Sequence, residues 1–171
     1  NINLSISYTS RNQRLNEKNG KDYFFVNKDQ FTELRSKNFF IETALNFGNY
    51  YGSPYKNLKN KNGILFDIDW KGARKIRKEI DKNNVIDFFI LPPSVRELRK
   101  RLIKRGRDNS DDINLRLSYA LKEISHYKEY SNVLINQNVI QTVNEIMHII
   151  KYRIIKDKNK KLTSKKIESM I

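Results

Sequence analysis

Gly63-Ile64-Leu65-Phe66-Asp67-Ile68-Asp69 is a continuous apolar run ending in two acids, the pattern of a strand buried on both faces of a parallel sheet. A helical pattern over 72–82 follows it. Val85-Ile86-Asp87-Phe88-Phe89-Ile90-Leu91 comes next, stopped by Pro92-Pro93. Ser94 stands where it can cap a helix over 95–104, with Glu97 at capping-box spacing. Gly106 breaks that helix. A second is predicted over 111–129, with Ile113, Leu117, Ala120, Leu121 and Ile124 on one face. Val133-Leu134-Ile135-Asn136 reads as another short buried strand, and 139–155 as a closing amphipathic helix. Strand–helix alternation over 63–155 predicts an α/β domain with a parallel sheet.

Upstream the texture differs. Residues 2–9 alternate like a strand, and 11–20 form a polar loop. Tyr23-Phe24-Phe25-Val26 is a short β-like run, after which Asn27 or Asp29 can cap a helix whose apolar residues include Phe31 and Leu34. Phe39-Phe40-Ile41-Glu42-Thr43-Ala44 is a further apolar stretch, and the turn-rich Phe47-Gly48-Asn49-Tyr50-Tyr51-Gly52-Ser53-Pro54 follows it. A small, mostly antiparallel lobe with one helix is expected here. The first residue is Asn, and a strand pattern starts at once, which reads as a chain entered partway through a domain.

The 171 residues are enough for one domain with a real core. The chain has no cysteine, which excludes a disulfide framework, a Cys-ligated metal site and a thiol nucleophile, and suits a reducing, cytoplasmic setting. No apolar run approaches the ~18 residues of a spanning helix, and no secretory h-region is present, so no membrane role is expected. Formal charge is +15, a balance that invites a nucleic-acid reading. However, Lys, Asn and Ile, all encoded by A/T-rich codons, make up 64 of the 171 residues. Residues 151–171 alone carry eight basic and two acidic side chains, which reads as a solvated tail. Charge by itself therefore does not argue for a nucleic-acid partner.

In parallel α/β sheets ligands sit beyond the carboxyl ends of strands, where Asp67, Asp69, Pro92-Pro93 and Asn136 fall. Two further clusters stand out. Ser7, Arg11, Arg14 and Tyr23, joined by Tyr51 and Ser53, suit a phosphate monoester, because guanidinium forks grip its oxygens and hydroxyls fill the remaining acceptors. Lys100, Arg101, Lys104, Arg105, Gly106, Arg107 and Arg116 form a cationic, hinged segment that could close over phosphates. Both patterns are equally compatible with ordinary solvated basic surface. No HExxH, nucleophile elbow or metal-ligand spacing occurs, and His126 and His148 read as packing or surface residues.

These motifs carry a resemblance. Ser5-Ile6-Ser7-Tyr8-Thr9-Ser10-Arg11-x-x-Arg14-x-x-Glu17-x-x-Gly20-x-Asp22-Tyr23-Phe24-Phe25-Val26 resembles the GMP-binding segment of guanylate kinases. Phe40-Ile41-Glu42, Gly48-Asn49-Tyr50-Tyr51-Gly52-Ser53, Asp67-Ile68-Asp69-Trp70-Lys71-Gly72 and Phe89-Ile90-Leu91-Pro92-Pro93-Ser94 are similar to that family in the same order. So are Arg101-Leu102-x-x-Arg105-Gly106-x-Asp108, Arg116-Leu117 and Val133-Leu134-Ile135-Asn136. The resemblance implies a P-loop kinase-type α/β fold with flanking helices, a small mixed GMP-binding lobe and a helical lid. It lays the lobe over 1–61, with the end of a core strand at its start. The core covers 62–102 and 123–155, the lid 103–122, and a basic tail 156–171.

The same resemblance implies transfer of the ATP γ-phosphoryl group to GMP, giving GDP and ADP, with magnesium accompanying ATP. Ser7, Arg11, Arg14, Tyr23 and Tyr51 would hold the GMP phosphate, and Glu42, Ser53 and Asp69 would read guanine. Asp67 would lie near the phosphates and metal, Arg105 and Arg116 would reach ATP phosphates from the lid, and Asn136 would lie near adenine. Arg14, Arg105, Arg116 and Asp67 are the implied catalytic set, and no residue is assigned directly to metal.

Departures from the family pattern bear on these expectations. Guanylate kinases carry a Gly-rich loop ending Gly-Lys-Ser/Thr, and these residues contain none; the resemblance places that segment ahead of Asn1. A polypeptide limited to these residues is expected to bind GMP better than it transfers phosphate. Gln13 and Asn16 replace a proline and a glycine of the arginine loop, which predicts a less pre-organised loop. The stretch from Ser53 to Asp67 is shorter than usual, and Gln137-Asn138 replace an acidic pair. A non-catalytic guanylate-kinase-like binding module is the alternative reading.

Overall fold

The computed structural model describes residues 2–59, 63–104 and 110–170, and the chain divides into two compact units, Asn1–Val85 and Ile86–Ile171. In the first, β1 (Asn3–Leu4), β2 (Tyr8–Thr9) and β3 (Phe24–Phe25) precede helix α1 (Lys28–Ser36). Strands β4 (Phe40–Asn46) and β5 (Asn49–Pro54) follow, and the main sheet has the order β3-β2-β5-β4.

The β4–β5 hairpin turns at Phe47-Gly48, with φ of +50° and +72°. Two consecutive left-handed residues make the turn whose twist matches paired strands. Gly48 adopts this freely, whereas Phe47 does so at a steric cost. The turn fixes the register: Glu42 lies opposite Ser53, and Ala44 opposite Tyr51. Strand β2 joins antiparallel, with Tyr8 opposite Gly52 and Thr9 opposite Tyr51. Strand β3 pairs parallel to β2, so the lobe is mixed, while its other two pairings are antiparallel as expected. The long polar loop from Ser10 onward lets the chain return in the same direction.

Side chains alternate across a strand, and this sheet uses the alternation to build two unlike faces. On one, fully buried Phe31 of α1 stacks on Phe40 at 4.6 Å and on Tyr50 at 5.3 Å, a burial worth ~1.5–3 kcal/mol. Tyr8 stacks on Phe24 at 4.6 Å beside them. Gly52 lies beneath these rings, and a Cβ there would come within 2.9 Å of Phe40 and 3.0 Å of Phe31. Helix α1 starts at Asn27, whose side chain takes the Gln30 N–H at 2.8 Å, while Gln30 Oε1 takes the Asn27 N–H at 2.9 Å. Asn27, not Asp29, is thus the cap, in a reciprocal box.

The expected single strand over 2–9 is two. The Ser5 N–H reaches the Leu65 carbonyl at 2.8 Å and extends the parallel pairing of β1 with β6 (Ile64–Leu65). By Tyr8 the chain has joined β5, so it breaks between to serve two sheets. The run 63–69 is half-buried rather than buried, with Leu65 52% exposed, because among the described residues β6 pairs only with β1. Helix α2 (Trp70–Glu79) begins two residues before the predicted 72, since Asp69 already caps it.

In the second unit β7 (Phe88–Leu91) pairs parallel with β8 (Asn132–Ile135), and β8 alternates in burial instead of lying wholly buried. Ser94 caps α3 (Val95–Lys104) through the Glu97 N–H at 3.1 Å; the Glu97 carboxylate turns to Arg101 at 3.3 Å. Gly106 and its predicted break lie outside the described residues. Helix α4 (Ser110–Ile124) ends earlier than 129. There the Ser125 hydroxyl donates to the Lys122 carbonyl, and the His126 N–H to that of Glu123, tightening the chain into a 3-10 turn over Tyr127–Glu129. Helix α5 (Val139–Glu168), predicted to close at 155, continues through the basic stretch. Neither Gly nor Pro interrupts that stretch, lysine favours helix, and Arg153 pairs with Asp157 one turn on at 3.2 Å. No helix among the described residues is long and apolar enough to cross a membrane.

Candidate functional site

The sheet face turned away from Phe31 is polar. At its β4 edge the Ser53 hydroxyl donates to Glu42 Oε1 at 2.6 Å and lies 3.1 Å from the Ser7 hydroxyl. Glu42 is 2% exposed and Ser53 fully buried. Burial pushes the Glu42 carboxyl above its usual range, against the pull of the Ser53 hydrogen bond, and the charge of Asp69 pushes the same way. Asp69 is held from two elements: Oδ1 accepts the Gly72 N–H of α2 at 2.8 Å, and Oδ2 accepts the Asn46 amide of β4 at 3.0 Å. A Cβ on residue 72 would stand 2.7 Å from Glu42 Oε2. The absence of a side chain at Gly72 is what lets the first turn of α2 lie against this acid.

Toward β3 the same face becomes cationic and aromatic. Glu17 Oε1 pairs with Arg11 Nη2 at 2.8 Å and lies 3.8 Å from Arg14 Nη1, while Oε2 takes the Arg14 N–H at 2.9 Å. Gln13 Nε2 donates to the Glu17 carbonyl at 2.5 Å. Side-chain bonds thus close the loop where the sequence predicts weaker pre-organisation. The Arg11 guanidinium lies 5.5 Å over the Tyr23 ring and 5.6 Å over Phe25, and Tyr51 meets Tyr23 edge-on at 6.0 Å. Burial works against the Arg11 charge, but the hydrogen bond and charge of Glu17 outweigh it and raise the group further. The same bond from Arg11 lowers Glu17 against a smaller cost of burial. Burial, then Tyr51 and Asp67, raise the Tyr23 phenol, which keeps it a hydrogen-bond donor. Asp67 is itself exposed.

The structure therefore brings Ser7, Glu42, Ser53 and Asp69 together at one end, and Arg11, Arg14, Tyr23 and Tyr51 together at the other. Ser7 and Ser53 are joined hydroxyl to hydroxyl. In the second unit Arg116 lies on α4, and Arg105 falls outside the described residues. Asn136 follows β8, with its carbonyl taking the Arg101 guanidinium at 3.0 Å and its N–H given to the Leu91 carbonyl at 2.7 Å. Among the described residues its buried Oδ1 has no hydrogen-bond partner, a costly state for an acceptor.

Three residues at this face carry no role in the sequence reading. Glu17 organises both arginines, and its spacing of six and three residues from them was a usable signal. Gly72 clears the space beside Glu42. Asn46 shares the face of Glu42 at period two, four residues on, but looks like an ordinary polar residue before a turn.

The face presents hydroxyl and guanidinium donors at one end and carboxylate acceptors at the other. It suits a ligand with an anionic group and an N–H-bearing heterocycle. Comparison with known proteins gives the family. A family model described as guanylate kinase matches residues 1–153. A guanylate kinase of Rickettsia prowazekii (strain Madrid E) is 46% identical over 154 residues, 88% of this chain and 77% of that protein. One of Haemophilus influenzae (strain 86-028NP) is 39% identical over 174 residues, 98% of this chain and 83% of that protein. The crystal structure of guanylate kinase from Anaplasma phagocytophilum, a P-loop kinase fold, matches with a TM-score of 0.74 at 38% identity, over 87% of this chain and 74% of that one. By sequence and by fold alike, the chain belongs to the guanylate kinase family.

Proposed function

We propose that this protein transfers the γ-phosphoryl group of ATP to GMP, giving GDP and ADP, and that the polar sheet face of the first unit binds GMP. The observation that supports this most is the pairing on one face of a buried carboxylate end with an arginine–tyrosine end. Glu42 and Asp69 accept from guanine N1–H and its 2-amino group. Adenine has no proton on N1 and carries its amine elsewhere, so AMP leaves buried acceptors unpaired, a penalty that discriminates by ~10⁴-fold or more where a site is built for such donors. Ser53 fixes the Glu42 carboxylate, and Ser7 links this end to the phosphate grip of Arg11, Arg14, Tyr23 and Tyr51.

The chemistry is positioning and charge stabilisation rather than covalent catalysis. Arg14, the more exposed of the two arginines, shares its charge between the acceptor phosphate and the incoming group. Arg105 and Arg116 contact ATP phosphates, Asp67 stands near the reacting groups, and Asn136 offers its Oδ1, buried and unpartnered among the described residues, to the adenine amine. Magnesium is proposed as the companion of ATP, and no residue is assigned to it. The cytoplasm, where both nucleotides occur, is the proposed compartment.

A module that binds GMP without transferring phosphate is the second reading, since the GMP face alone would serve either protein. A coupled assay of ADP formation by the full-length protein separates the two. GMP-dependent ADP release with AMP a poor acceptor is expected; GMP binding without ADP release would make the protein a binding module.

A further inference from the structure

We propose that Asn46 is a positioning residue for guanine selection, acting through Asp69. The inference rests on the reading of this face as the GMP site, and it comes from how few groups hold the Asp69 carboxylate. One of its oxygens is tied to its own helix, through the Gly72 N–H at 2.8 Å. The other is tied to the sheet, among the described residues, by a single side chain, the Asn46 amide at 3.0 Å. A carboxylate has about four acceptor sites, so both oxygens keep a lone pair for a ligand while these two donors fix the plane of the group.

The placement of Asn46 follows from the strand. Glu42, Ala44 and Asn46 lie on one face of β4 by period two. Ala44 between them is small, and leaves the surface between acid and amide open. At one end of this row Glu42 is buried against Ser53; at the other Asn46 carries the only described hydrogen bond from β4 to Asp69. The amide thus sets where the second acid stands relative to the first, and it supplies donor character where two negative groups come near each other. A base that offers two adjacent N–H groups needs both acceptors in fixed positions, so a swivelling Asp69 would weaken GMP while leaving ATP untouched.

The test uses N46A, which removes the donor, and N46D, which replaces it at equal size with a group that accepts. GMP affinity is read by calorimetry, and steady-state constants and thermal unfolding are read on the same full-length protein. Loss of a hydrogen bond to a charged group predicts a GMP Kd and KM raised ~10-fold in N46A. N46D is expected to raise them further, with kcat and the ATP KM of both variants close to wild type and both still unfolding in one cooperative step above the assay temperature. Equal GMP affinity in all three proteins would overturn the inference and leave the GMP site standing. A fall shared by kcat and the ATP constants would also overturn it, making Asn46 a general packing residue. Failure of the wild-type protein to bind GMP would remove the reading on which it rests.

Discussion

The two ends of the polar face solve opposite electrostatic problems. At the arginine end the charges are complementary before any ligand arrives: Glu17 holds Arg11, steadies Arg14, and is itself lowered by the pairing. At the carboxylate end like charges come together, with Glu42 raised by burial and by Asp69. They are held by a hydroxyl, an amide and a backbone N–H. The first end is organised in advance and exchanges one anion for another. The second is organised but electrostatically unfavourable until donors arrive. A single ligand face can thus combine a pre-formed grip with a site whose repulsion only the correct base relieves.

The largest effect is expected from R11A, which removes a phosphate fork and leaves Glu17 without its main partner. Steady-state kinetics should show kcat/KM for GMP reduced ~10³-fold, about 4 kcal/mol. A loss below tenfold would mean that the phosphate is not gripped at this end. Next comes E42Q, which keeps the size and the Ser53 contact but presents the wrong hydrogen-bonding group to guanine; a loss of ~100-fold, about 3 kcal/mol, is expected.

Glutamine scanning at the two ends sharpens the comparison through pH. Because the folded Glu42 carboxyl titrates above its ordinary 4.5, its proton favours folding, and the benefit is lost as pH rises through the folded value. E42Q should therefore be more stable than wild type to urea at pH 7, with the advantage vanishing in acid. Glu17 titrates below 4.5, so its contribution is present above that value and lost as pH falls through the folded one. E17Q should be less stable than wild type at pH 7 and equal to it in acid. Parallel pH curves for the two variants would break the contrast.

G72A tests the spacing alone. With a Cβ 2.7 Å from Glu42 Oε2, the carboxylate must move, and a GMP KM raised ~10-fold with little change in kcat is expected. The smallest effect lies outside the face, at the turn. F47N places a residue that tolerates left-handed backbone at φ +50°, and should add ~1 kcal/mol to unfolding stability without altering GMP kinetics.

Much of this was legible from residue pattern. Around β2 and along β5 the polar positions Ser7, Tyr51 and Ser53 alternate with Tyr8, Tyr50 and Gly52, and Asn27 and Ser94 cap helices at local spacings, whereas the bulge that puts Phe40 and Glu42 on opposite faces of β4 is not in the pattern. What could not be read depends on neighbours distant in sequence. The strand over 2–9 breaks because it serves two sheets, a fact held in Leu65 and Tyr51 rather than in residues 2–9. Hydrophobic content in 63–69 states a preference for burial and says nothing of what pairs with the strand. Helix α5 passes 155 on propensity and the absence of breakers, where the amphipathic pattern that marked its first half has faded. Asn46 escaped because its importance lies in a bond to a residue of another element.

The sequence distances within the face have a kinetic consequence. Ser53 meets Glu42 across 11 residues but Ser7 across 46. Closing the hairpin costs less chain entropy than docking β2, so the hairpin can form first and β2 is expected to arrive late. A ligand that needs both Glu42 and the arginine loop behind β2 can bind only after that late docking. It stabilises contacts absent from the folding transition state, and such contacts slow unfolding without speeding folding. GMP would then act on the lifetime of the folded protein and leave its rate of formation unchanged.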